Sequence, residues 1–329
     1  MKKRALLFSL AALLILSLAV GCSKPAAEGE KPAEEPAKKL ELLYATGGTA
    51  GTYYPLGGAM ANVWNENISS INVTVQPSGA SIENIKLLAT GQADVCMAMN
   101  NIADAAWKGE GEFAQPLQNF RAVGVVYPEV VQGVALKEAN ITKPEDMKGK
   151  KVALGPTGSG TQAATKVILQ AVGMSESDVK GEYATFGDAV MKMKDGQLDA
   201  AWNVIAAPGA AIVDLNTSRD ITMIEIDDET LERIREIYPL VTRYVIPGGT
   251  YRSVPNDVNT ISFQAVLYVR EDLPEDVVYE MTKVMYEKNA EIGKGHAMGG
   301  QITIDKALDG ITTDFHPGAI KYYKEKGVM

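Results

Sequence analysis

Hydrophobic positions fall into short runs separated by glycine-rich and polar turns, and the order of those runs repeats. Apolar runs of strand length at 40–44, 71–76 and 95–99 alternate with segments at 55–65 and 82–90 whose apolar residues recur at helical spacing. The same succession returns later, with strand-like runs at 151–154, 181–186 and 200–205 and helical patterns at 162–172 and 189–194. Even the turns match: Gly91-Gln92-Ala93-Asp94 precedes the third run of the first set, and Gly196-Gln197-Leu198-Asp199 that of the second. Each set reads as a βαβαβ unit with parallel strands, which predicts an α/β protein of two similar lobes.

The segments between and after the two sets predict how the lobes join. A strand at 120–126 meets Tyr127-Pro128-Glu129, and a new strand follows at 130–136, so Pro128 is expected to break the run and mark a first hinge. A short helix and turn at 141–150 leads into the second set. After it come a helix at 210–215, a strand at 221–226, a charged helix at 229–237 and a Pro-, Gly- and Tyr-rich stretch at 238–255. The strong strand at 260–269 starts near the expected second hinge. From Pro274 a helix carries Val277, Val278, Met281, Val284 and Met285 on one face, a stripe that reads as core, and the tail at 307–329 is expected to return to the first lobe. The division is therefore 40–128 with 262–329 as lobe I and 129–261 as lobe II.

The N-terminus is different in kind. Lys2, Lys3 and Arg4 precede an uninterrupted apolar run at 5–20, too short for a confident span and typical of a secretory signal at 1–21. Leu18-Ala19-Val20-Gly21-Cys22 resembles the bacterial lipoprotein lipobox, in which the cysteine is lipidated; Ala19 departs from the usual leucine, and an ordinary signal peptidase could also cut here. Residues 22–39 are rich in Pro, Ala, Glu and Lys, with no aromatic side chain, and read as a disordered tether about 20 Å across as a coil. The expected location is extracytoplasmic, anchored to the membrane through lipid on Cys22. The remaining cysteine, Cys96, falls in an apolar strand and is expected to be a buried, inert thiol.

Composition narrows the function. With 329 residues, 46% hydrophobic and 22% charged, the chain can build two sizeable cores. Loss of Lys2, Lys3 and Arg4 takes the formal charge from −9 to −12, and no basic run interleaved with aromatics occurs, so nucleic acid is not expected as a partner. A small anion is still compatible, because helix N-termini act locally. The only histidines are His296 and His316, and no metal constellation, serine-histidine triad or close carboxylate pair stands out, so neither a cofactor nor an enzyme is expected.

Candidate chemistry lies where strands hand over to helices. Residues 45–58 are rich in glycine and hydroxyls, with Pro55 suited to a first helical turn, and Gly155-Pro156-Thr157-Gly158-Ser159-Gly160-Thr161 repeats the design in the second set. Glycines admit close approach of the backbone, and the free N–H groups of the next helix attract negative charge. Two such cradles, one per lobe, imply a ligand between lobes. The second resembles a phosphate loop in glycine spacing, but Thr161 stands where lysine is needed. Its fit to a dinucleotide fingerprint is loose, with Asp178 preceding the next strand rather than ending it.

The stretches 47–58, 78–84, 158–161, 196–201 and 246–251 resemble the TAXI family, the TRAP-associated extracytoplasmic immunogenic proteins, which are solute receptors of tripartite ATP-independent periplasmic transporters. The resemblance implies a type II periplasmic-binding-protein fold with a two-segment hinge, closing on a small carboxylate or amino acid such as glutamate, glutamine or 2-oxoglutarate. It also implies delivery to TRAP membrane subunits. Carried over by position, it points to Gly48, Thr49 and Tyr53, to Ser78, Ser81 and Asn84, and to Ser159, Gly160 and Thr161 as ligand-binding, with Ser81 and Thr161 doubling as helix caps. Where relatives often carry Gln-Ser-Asp, this chain has Met99-Asn100-Asn101, so Asn101 replaces a carboxylate; Asn203 is a further polar contact. Arg121, Arg243 and Arg252 are candidates to neutralise an anion, beside hydroxyls and helix N-termini as the main holders. The alternative function on the same fold is a ligand sensor feeding a surface signalling receptor.

Overall fold

The computed structural model describes residues 39–329; the signal segment, Cys22 and nearly all of the tether lie outside the described residues. The first set of elements is β1 (Leu40–Ala45), α1 (Tyr53–Asn67), β2 (Ile71–Gln76), α2 (Ser81–Ala89), β3 (Val95–Met99) and α3 (Asn100–Lys108). A long strand, β4 (Phe120–Leu136), leads to the second set, which comprises β5 (Lys151–Ala153), α4 (Gly160–Ala171), β6 (Lys180–Glu182), α5 (Phe186–Lys194), β7 (Ala200–Ile205) and α6 (Ala210–Ser218). The chain returns through β8 (Ile221–Ile224), α7 (Asp228–Ile237), β9 (Thr242–Ile246) and β10 (Val258–Arg270), and ends with α8 (Glu275–Glu287), α9 (Asn289–Gly295) and α10 (Pro317–Lys326).

All strands join one 10-stranded sheet in the order β2-β1-β3-β10-β4-β7-β5-β6, with β8 on β4 and β9 on β10. β1 is parallel to β2 and β3, and β10 runs antiparallel beside β3. The other half mirrors this: β5 is parallel to β6 and β7, and β4 runs antiparallel beside β7. Both halves therefore use one plan, three parallel strands and one antiparallel strand supplied by the long pair β4 and β10. The reversal places the carboxyl ends of the parallel strands of both halves toward the middle, where ligands lie in such sheets.

Burial explains the elements. β3 and β7 are buried along their whole length, as their largely apolar runs require. One hydrophobic cluster packs α1, α8 and α10 on one face of the first half; a second runs under α2 and α3 and continues through the second half. Trp64 fixes the first, fully buried, its indole N–H donating to Met281 O at 3.0 Å. The tail returns to the first half as expected, with Ala122 bridging to Phe315 and Tyr323 donating to Val123 O at 2.6 Å. Cys96 is buried, and desolvation pushes its thiol up, as expected of an inert cysteine. Among the described residues no helix is long and apolar enough to cross a membrane.

Three local expectations are corrected. Tyr127-Pro128-Glu129 does not end a strand: β4 is continuous, with a bulge opposite Ala265/Val266 that skips Val126. Pro128 is tolerated because it pairs only with Gln264 on β10, and β7 joins the other flank from Val130 onward. The strand expected at 181–186 stops at Glu182, since Thr185 caps α5 by accepting from Asp188 N at 3.2 Å. The stretch 238–255 contains β9, an edge strand on β10.

Candidate ligand-binding cleft

A cavity of about 770 Å³ opens where the two halves meet. Its walls are the first cradle, the turn 77–81, the second cradle and the start of α5, with the floor from Met99, Tyr127, Glu129, Val204 and Ile205. The turns before α1, α2, α4 and α5 bring their first residues to this one space, so their leading backbone N–H groups and dipoles converge on it. Side chains cap only some of them. Ser159 and Thr185 cap α4 and α5, whereas α1 and α2 have no side-chain cap.

The hydroxyls that line the cavity also hold the frame. Ser81 Oγ accepts from Met99 N at 3.1 Å and Thr161 Oγ1 from Val204 N at 3.2 Å, each satisfying a backbone N–H near the end of a parallel strand. They are not the helix caps that their position suggested; Ala80 and Ser159 occupy those places, and Ser159 Oγ accepts from Gln162 N at 3.1 Å. Thr52 Oγ1 accepts from Ala206 N at 3.1 Å, a bond that joins the start of α1 to the end of β7 across the two halves.

Gly48, Thr49, Tyr53, Ser78, Ser81, Ser159, Gly160 and Thr161 line this cavity together, although the chain separates the first from the last by more than a hundred positions. The three asparagines do not. Asn84 is fully buried and donates to Thr46 O at 2.6 Å and Met97 O at 2.7 Å while accepting from Ser78 Oγ at 2.6 Å, so it staples β1, β3 and the turn behind the cavity. Asn101 opens instead onto a separate crevice beside Phe113 and Tyr238. Asn203 is buried on β7 opposite Gln132, outside the cavity wall.

The arginines are occupied elsewhere. Arg121 pairs with Glu271 at 2.7 Å over the Trp107 ring, Arg243 pairs with Asp228, and Arg252 pairs with Asp220 at 2.9 Å. Among the described residues no Lys, Arg or His lines the cavity. Replacing any of these arginines by Ala is therefore expected to leave ligand affinity within about twofold, read by titration calorimetry. The stability cost should stay below about 1 kcal/mol, because the pairs are partly solvated.

The sequence reading missed the most distinctive group. Glu129 is 3% exposed and lines the cavity, its Oε2 accepting from Tyr53 OH at 2.6 Å and its Oε1 lying 3.5 Å from Tyr127 OH. Burial pushes its carboxyl up to about 8, and the two phenol bonds pull it down only in part. Burial and the nearby carboxylate push the Tyr53 phenol well up in turn. A carboxylate inside a largely apolar strand was the available clue. The other acids on the walls are Asp188 and Asp214.

Comparison with known proteins agrees with this architecture. A protein of Bordetella bronchiseptica RB50 is similar in structure, with 20% identity, 88% of this chain and 90% of that chain covered, and a TM-score of 0.53. An ancestral arginine-binding protein bound to arginine is similar at 16% identity, over 79% of this chain and 97% of that chain, with a TM-score of 0.50. The fold is the type II periplasmic-binding-protein fold. The family model for the NMT1-like family matches residues 44–327, and with nearly all of the described residues inside that match, the chain belongs to the NMT1-like family.

Proposed function

We propose that the protein is an extracytoplasmic solute receptor that captures a small carboxylate in this cavity and passes it to a membrane transporter, of the TRAP type that the TAXI-like motifs suggest. The observation that carries the reading is the convergence of the N-termini of α1, α2, α4 and α5 on one cavity whose walls, among the described residues, hold no cationic side chain. Such an arrangement supplies N–H donors and positive dipole ends for an anion without a counter-charge. The lobes are 40–128 with 262–329 and 129–261, and β4 and β10 serve as the hinge because, among the described strands, they alone run through both halves of the sheet. Solute contacts on both lobes then favour the closed state. Lipid on Cys22 would keep the receptor beside its transporter.

Thermal unfolding against glutamate, glutamine, 2-oxoglutarate and related acids tests this. A ligand at a hundred times its Kd adds about 2.7 kcal/mol, which moves the midpoint of a chain this long by roughly 5 °C. A flat response to every acid, with no acid released from the denatured protein in mass spectrometry, would overturn the reading.

A further inference from the structure

The charges on the cavity wall are one-sided. Glu129, Asp188 and Asp214 line it, and among the described residues no cationic side chain does. A dicarboxylate without an amine would bring two negative charges to walls that hold acids, with nothing to offset the second. Glu129 is the buried member of the three. Facing it are the phenols of Tyr53 from α1 and Tyr127 from its own strand, with Phe263 opposite on β10 and apolar Ile205 on β7; the other acids stand apart on α5 and α6. Its Oε2 is held at 2.6 Å by Tyr53, whereas Oε1 has only the 3.5 Å contact with Tyr127, at the outer limit of a hydrogen bond. The two phenol rings meet edge to face with centroids 6.4 Å apart. A carboxylate whose Oε1 keeps acceptor capacity beyond its long contact with Tyr127, beside two aromatic rings, is a binding corner for an ammonium group, through a charge-assisted hydrogen bond and cation–π attraction.

We infer that Glu129, with Tyr53 and Tyr127, binds the ammonium group of the solute, so that the receptor selects α-amino acids over acids of the same shape that lack the amine. This rests on the small-carboxylate reading above and narrows it: the carboxylate lies at the helix N-termini, and the ammonium at Glu129. The carboxyl is mostly protonated near neutral pH before the ligand arrives, since burial holds it at about 8. The ammonium stabilises the ionised form, so binding releases the proton from Glu129 to solvent. The sign follows: affinity for an amino acid rises with pH, by about tenfold per unit below pH 8, and levels off above it.

The test is titration calorimetry of the purified protein with L-glutamate, L-glutamine, 2-oxoglutarate and glutarate, from pH 6 to 9 and in buffers of different ionisation enthalpy. The expected result is binding of the amino acids, at least about a hundredfold tighter than 2-oxoglutarate or glutarate, with close to one proton released per ligand at pH 7. Glu129→Gln keeps the shape and should weaken the amino acids at pH 8 by at least about tenfold and abolish both proton release and pH dependence. The proton count on the wild-type protein decides the matter even if the variant does not fold. If 2-oxoglutarate or glutarate binds as tightly as glutamate, or affinity falls as pH rises, the ammonium assignment is overturned and the small-carboxylate reading stands. If none of the four binds, that reading falls and the assignment with it.

Discussion

Gly155→Ala is expected to destabilise the protein by at least about 2–3 kcal/mol and to weaken ligand binding by about tenfold or more. Gly155 leaves β5 with φ at +96°, outside the range that side chains accept without strain. An added Cβ would also fall 2.6 Å from Thr161 Cγ2 and 2.9 Å from Gln162 N. Thr161 cannot withdraw cheaply, because it is buried and its hydroxyl accepts from Val204 N. Either the cradle opens or a buried N–H loses its partner, at about 1–3 kcal/mol. Gly149→Ala separates the two causes, since φ there is +74° but nothing lies within 4 Å of the new Cβ. It should cost about 1 kcal/mol of stability and leave binding intact. Denaturant unfolding and titration of both variants give the comparison.

Trp64→Ala should have the opposite profile: a loss of about 3–5 kcal/mol with unchanged affinity in the folded fraction. The side chain is fully buried between α1 and α8 and packs on Tyr44 with ring centroids 5.8 Å apart, so its removal leaves a cavity and an indole hydrogen bond unmade. The midpoint of thermal unfolding should fall by roughly 6–10 °C. Trp64 lies about 16 Å along α1 from Tyr53, well away from the cleft. If affinity fell in step with stability, frame and site would not be separable in the way described.

The duplicated plan was legible because buried parallel strands leave a strong trace. The runs at 95–99 and 200–205 coincide with β3 and β7, buried throughout. The trace fails where burial does: β6 is an edge strand whose side chains are all exposed, and β9 is half-covered inside a Pro- and Gly-rich stretch. Pro128 misled because sequence cannot tell a strand's free flank from its paired one. In the site, glycine and hydroxyl clusters announced both cradles, since close backbone approach demands them. An asparagine announces less, because its amide serves backbone carbonyls as readily as a ligand, and Asn84 does the former. Glu129 was marked only by a carboxylate in a largely apolar strand; it becomes a site when α1 brings Tyr53 from 76 positions away.

Small-angle X-ray scattering of the protein, alone and saturated with the acid that shifts its unfolding midpoint most, tests capture by closure most directly. The expected result is a smaller radius of gyration on saturation, as two lobes swing together about β4 and β10. Superimposable curves at full saturation would contradict it: the ligand would then bind without bridging the halves, and the cavity between them would not be where the protein holds its solute.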